Sequence, residues 1–231
     1  MAGDFALSTL RHGGSLPLRE RTLWLQRSCR RLLRVLSLQV DASGPRPHAG
    51  LLVSNHLSYT DILVLASLMP TVFVAKNEVR HWPVFGWYGR LAGTLFVRRT
   101  RRSDVARLAA QMNDVLEGGH LLILFPEGTS SNGRQVLPFK SSLLEPVDRG
   151  KHPVFAGCLE YELPDGAVES DVCYWGDMTF FPHLLKLMTR RRIHALVRFA
   201  EIRQPAGGRK ELARQLHQEV TRLKSAPATH P

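Results

Sequence analysis

Nowhere in the 231 residues do eighteen uncharged apolar positions run together, so no ordinary membrane-spanning helix is expected. The first residues lack the basic-then-apolar layout of a signal peptide. Cysteine is scarce. Cys29, Cys158 and Cys173 are odd in number and far apart, which excludes a disulfide framework or zinc pattern and fits a reducing compartment. No internal repeat and no linker composition divides the chain. Acidic side chains are outnumbered, 20 against 31 Lys and Arg, and the formal net charge is +11. That surplus asks for an anionic partner: nucleic acid, phospholipid headgroups or an acidic carrier protein. The hydrophobic content of 44% suits a packed core, and the length suits one domain.

Residues 1–20 read as a flexible N-terminus. From Trp24 a helical period sets in. Leu25, Cys29, Leu32, Leu33 and Leu36 share one face, while Arg27, Arg30, Arg31 and Arg34 gather opposite. Residues 21–35 are therefore a basic amphipathic helix. It either lies in a bilayer interface with its arginines on anionic headgroups, or packs on its own domain with its arginines solvated. Residues 36–224 form the main domain and 225–231 a flexible tail. Strands are expected at 36–40, 51–54, 71–75, 94–97, 121–125, 154–162 and 194–199. Helices follow Ser58 and Ser103, and a last one carries Leu212, Leu216, Val220 and Leu223. Residues 78–93, rich in Pro, Gly and aromatics, read as irregular. Strands alternating with helices give an α/β class: a single domain with a mixed, largely parallel sheet flanked by helices.

Two strand ends carry chemistry. In Leu51–Ile62, LLVSNHLSYTDI, a buried strand runs into His56, with Asp61 five positions on. Strand ends of α/β sheets open onto ligand crevices. A histidine there is a candidate general base, and Asp61 a candidate to orient its ring. The plainer reading has His56 satisfying local backbone and Asp61 completing a capping box from Ser58. The second end is Phe125-Pro126-Glu127-Gly128-Thr129-Ser130-Ser131, where Glu127 can take substrate hydroxyls and the following amides can form an anion nest. Its plainer reading is an ordinary polar turn.

His56-x-x-x-x-Asp61 and Phe125-Pro126-Glu127-Gly128-Thr129 resemble the first and third blocks of the PlsC-like glycerolipid acyltransferases, the 1-acylglycerol-3-phosphate acyltransferase family. Between them, Lys76-Asn77-Glu78, Pro83-x-x-Gly86, Gly93 and Phe96-Val97-Arg98 resemble the second block, and Pro146-Val147 resembles the fourth. The third block commonly continues with an arginine where Ser130 stands. That form, with Tyr174-Trp175-Gly176-Asp177-Met178, resembles a subgroup containing lyso-ornithine lipid acyltransferases.

The resemblance implies the family fold and a fatty-acyl transfer from acyl-CoA or acyl-acyl carrier protein to the free hydroxyl of a lysolipid. It implies His56 and Asp61 as catalytic, with no cofactor and no metal. Glu127, Gly128, Thr129, Arg98, Lys76 and Lys140 would bind the acceptor, and Trp82, Phe85, Trp87, Leu91 and Phe96 would line the acyl chain or simply fill the core. The expected acceptor is 1-acyl-sn-glycerol-3-phosphate, giving phosphatidic acid, with lyso-ornithine lipid as the alternative. The expected place is the cytoplasmic face of the cell membrane, held peripherally or monotopically on an anionic surface. Arg190, Arg191 and Arg192 offer a second membrane contact or a solvated helix end. A basic nucleic-acid-binding module is the rival class; no helix-turn-helix, zinc-finger or RNA-binding signature supports it. The sequence leaves the oligomeric state open.

Overall fold

The structure is a computed structural model that describes residues 3, 5, 9, 16–82, 85–98, 102–144 and 151–226, without the side chains at 102, 103, 105 and 143. Pro83, Arg99, Arg101, Pro146 and Val147 lie outside the described residues. Strands β1 (Leu38–Ser43), β2 (Gly50–Ser54), β3 (Val72–Lys76), β4 (Leu95–Val97), β5 (Leu121–Leu124), β6 (Val154–Glu162) and β7 (Ile193–Glu201) form one sheet in the order β1-β7-β6-β2-β5-β3-β4. Every neighbouring pair is parallel except β6 with β7. β2 and β5 read LLVS and LLIL because both their faces are covered, as central parallel strands require.

Two apolar layers cover the sheet. On one face pack α1 (Leu18–Val35), α2 (Thr60–Leu68), α3 (Phe85–Ala92) and α6 (Phe180–Thr189), with Leu25, Leu65, Phe73, Phe125 and Leu187 at the contact. On the other, α4 (Arg102–Glu117) and α7 (Arg209–Ser225) bury Leu108, Met112, Leu116, Leu212 and Leu216. A short helix α5 (Val168–Asp171) precedes α6.

α1 starts at Leu18, three residues before the sequence pattern placed it, because Pro17 fits just ahead of a first turn that needs no amide. Part of its apolar face packs within the domain, while Val35 is 72% exposed. Trp24, Leu25, Cys29 and Leu33 are buried against the domain, and Trp24 stacks on Tyr88 at 5.1 Å. Phe5 packs edge-on against Trp24 at 4.9 Å. Arg30 and Arg21 bond carbonyls of neighbouring helices. Arg30 Nε donates to Ser67 O at 2.8 Å, and Arg21 Nε to Leu91 O at 2.6 Å. Each cation thus satisfies carbonyls at the C-terminal end of a neighbouring helix, α2 or α3. Arg27, Arg31 and Arg34 are exposed.

The segment expected to be irregular contains α3. Gly86 and Gly89 weaken its propensity, yet packing demands them: a Cβ on Gly86 would lie 2.3 Å from Arg80 O. α6 ends just before Arg190, Arg191 and Arg192, and it carries Pro182 near its start. That proline falls in the first turn, where no helical N–H is lost.

Candidate active site

The site lies at the carboxyl ends of β2, β3 and β5. Asn55 fixes the exit from β2. Its Nδ2 donates to Leu159 O at 2.9 Å, and its Oδ1 accepts the Leu159 N–H at 2.8 Å, which ties the strand end to β6. His56 follows, its ring stacked on Phe125 at 4.2 Å. Phe125 comes from the end of β5, so two strand ends are joined by one aromatic contact.

His56 Nδ1 lies 2.8 Å from Asp61 Oδ2. Asp61 is fully buried. The same oxygen accepts the Leu57 N–H at 2.6 Å and the Ser58 N–H at 3.0 Å. Oδ1 accepts the Tyr161 hydroxyl at 2.7 Å, and Thr60 Oγ1 donates to Tyr161 at 3.0 Å. A carboxylate surrounded by donors is an acceptor only. With Asp61 accepting, the proton of this pair sits on Nδ1. Asp61 thus receives the Ser58 amide as a capping residue does and also hydrogen-bonds the histidine. Tyr161 was not found from the sequence; a tyrosine within an apolar strand gives no distinct signal. Burial pushes its phenol well above the usual range, which keeps it a proton donor to Asp61.

An apolar cavity of about 310 Å³ opens beside His56. Of the expected acyl-chain residues, Trp82, Phe85 and Phe96 line it. Trp87 and Leu91 do not: Trp87 is exposed on α3, and Leu91 is half-buried against the core. The sequence missed the wall contributed by α1, where Leu25, Cys29 and Leu32 line the cavity, and also Tyr59 and Tyr174. Burial pushes the Cys29 thiol up to about 12, so it acts as a small apolar group there. Tyr59 donates to His183 Nδ1 at 2.9 Å, while His183 Nε2 donates to Cys173 O at 3.0 Å. Burial lowers the His183 pKa and keeps that ring neutral.

The expected acceptor-binding residues are dispersed. Gly128 and Thr129 line the cavity, and Gly128 makes the turn with a φ of 74° that favours glycine. Glu127 does not line it. The side chain is 2% exposed, Oε1 accepts the Leu137 N–H at 3.3 Å, and buried Oε2 has no hydrogen-bond partner. Burial raises its pKa to about 8, against the opposing pull of the Leu137 and His56 amides. Lys76, at the end of β3, lines the cavity; Arg98 and Lys140 are exposed outside it. Ser130, standing where the family pattern carries arginine, lines the cavity and donates its hydroxyl to Tyr174 O. Among the described residues no group of His, Cys, Asp and Glu could hold a metal ion.

The arrangement offers an imidazole oriented by a carboxylate at the edge of an apolar cavity. It suits removal of a proton from a hydroxyl carried in on a hydrocarbon chain. A family model described as acyltransferase matches residues 38–158. A lyso-ornithine lipid O-acyltransferase of Rhodobacter capsulatus is 37% identical over 71% of this chain, which spans 61% of that protein. Another, from Pseudomonas aeruginosa, is 35% identical over 88% of this chain and 78% of that protein. The crystal structure of the 1-acyl-sn-glycerophosphate acyltransferase PlsC from Thermotoga maritima superposes with a TM-score of 0.63, covering 90% of this chain and 81% of that one, at 20% identity.

Proposed function

The chain belongs to the PlsC-like acyltransferase family, and from that premise we propose that it moves a fatty acyl group from an acyl thioester to the free hydroxyl of a lyso-ornithine lipid. The observation carrying the chemistry is the His56 Nδ1 to Asp61 Oδ2 contact of 2.8 Å beside the apolar cavity. His56 Nε2 takes the hydroxyl proton as the oxygen attacks the thioester carbonyl. Asp61, held by Tyr161 and two amides, stabilises the imidazolium. The oxyanion of the tetrahedral intermediate is received by the Thr129 and Ser130 amides, which make no backbone hydrogen bond among the described residues and belong to residues lining the cavity. The C–S bond then breaks, and Nε2 returns its proton to the thiolate. Acyl-CoA and acyl-acyl carrier protein both supply the required thioester.

Three features support lyso-ornithine lipid over the phosphate-bearing acceptor expected first. Both curated relatives described above carry that name and match most of the chain. Ser130 replaces the family's arginine and turns its hydroxyl to Tyr174 O. Lys76 is the one lysine or arginine lining the cavity among the described residues; a single cation suits a carboxylate better than a phosphate monoester of about two negative charges. The test is a competition with one labelled acyl thioester, offered lyso-ornithine lipid and 1-acyl-sn-glycerol-3-phosphate together. Ornithine lipid is the expected main product. Dominance of phosphatidic acid would reverse the acceptor, and no acylation of either lipid by either thioester would remove the reading.

A further inference from the structure

Three strongly exposed large apolar side chains lie together on one helix. Phe181, Leu185 and Met188 of α6 are 61%, 66% and 56% exposed. Spaced i, i+4 and i+7, they form one stripe, while His183 and Leu187 are buried on another face. Soluble surfaces usually scatter such residues rather than align them. Basic residues flank the stripe. Lys186 and Arg190 both contact Asp171, at 2.6 and 3.2 Å. Arg191 and Arg192 are exposed and pair with no acid among the described residues. The helix also borders the cavity. Phe180 packs on Tyr59, Trp82 and Phe85 at 5.3, 5.6 and 5.7 Å, and all three line the cavity wall.

We infer that α6 docks the protein on an anionic bilayer. Its stripe enters the interfacial region, Arg191 and Arg192 meet the headgroups, and the acceptor passes from the lipid surface by Phe180 toward His56. An apolar stripe beside basic side chains is the form of an interfacial helix. Charge selects the occupant. A second copy of this chain would bring Arg191 and Arg192 near their own counterparts and set two net charges of +11 together, whereas an anionic surface attracts both. In α1, the helix expected from the sequence to hold the membrane, Trp24, Leu25, Cys29 and Leu33 are buried in the domain, whereas the stripe on α6 is exposed. The purpose of this surface rests on the lysolipid reading; its test does not.

The full chain is mixed with phosphatidylglycerol–phosphatidylcholine vesicles and floated on a density gradient at low and moderate salt. The exposed positions allow the triple variant F181S/L185S/M188S to fold, checked by circular dichroism. It is expected to lose on the order of a hundredfold in vesicle partitioning at either salt. R191Q/R192Q is expected to lose roughly tenfold at low salt and less at moderate salt, where screening has already weakened the attraction. A folded triple variant that floats like the parent overturns the inference. So does one that keeps vesicle binding but turns a dimer into a monomer in sedimentation velocity, which would assign the stripe to self-association. Flotation requires no turnover, so failure of the acyl-transfer reading would leave this result standing.

Discussion

Glu127 is the residue on which the family expectation and the geometry diverge most sharply, and a pH series separates them. Its carboxyl ionises near 4.5 when free and near about 8 in the folded chain, because burial penalises the charge. Between those values the folded state holds one proton that the unfolded state has released. Stability must therefore fall as pH rises through this window, and the loss is complete above the folded value. At about 1.4 kcal/mol per pKa step the shift amounts to roughly 5 kcal/mol. Relaxation and water entry around the buried ion reduce what is observed to on the order of 2–4 kcal/mol. Glu127→Gln removes the titration and keeps an oxygen for the Leu137 amide. Urea unfolding of both proteins at pH 5, 6.5 and 8.5 should give similar stabilities at the lowest pH and an increasing advantage for the glutamine variant above it. A constant difference across the series would refute the buried, proton-bearing carboxyl. Activity provides the second readout. A neutral clamp on the 128–137 loop is kept by glutamine, so Glu127→Gln should turn over within a few-fold of the parent, while Glu127→Ala, which strands the Leu137 amide, should not. An ionised glutamate in contact with acceptor would make the glutamine variant fail as well.

His56→Ala should lower acyl transfer by about 10²–10⁴ or more with the circular dichroism spectrum intact, since it removes the base and leaves the strand ends in place; a folded variant at the parent rate would sink the assignment. Tyr161→Phe leaves Asp61 Oδ1 without its hydroxyl donor at 2.7 Å, and a hydrogen bond to a charged group contributes about 1.5–3 kcal/mol; a lower urea midpoint and reduced kcat with little change in KM are expected, and unchanged kcat would free Asp61 of this dependence. Cys29→Phe places a ring in the cavity wall, so turnover with long acyl thioesters should drop more than with short ones; an equal loss on both would place the acyl chain elsewhere.

The pairing of His56 with Asp61 was legible and the container was not, for one physical reason. The two side chains meet across a single strand-to-helix turn, so their spacing is local, and the alternation of buried strands with capped helices that exposes them is local too. The cavity is assembled from distant segments: Leu25 and Cys29 on α1, Tyr59 beyond β2, Phe96 on β4 and Tyr174 after α5. No pattern in any one segment marks a side chain as wall, core or surface: of Trp82 and Trp87, five positions apart in an aromatic-rich stretch, the first lines the cavity and the second is exposed. The same limit explains α1. Its sorted leucine and arginine faces are what an interfacial helix and a domain-packed helix both require, and its contacts with the domain are made through α2 and α3, whose C-terminal carbonyls accept from Arg30 and Arg21. Amphipathicity specifies that a helix has something to cover; the partner is set by tertiary structure. In α6 the balance reverses. A weakly marked helix with Pro182 in its first turn proves to carry two apolar faces, one of them spent on His183 and Leu187 within the domain and the other left to solvent.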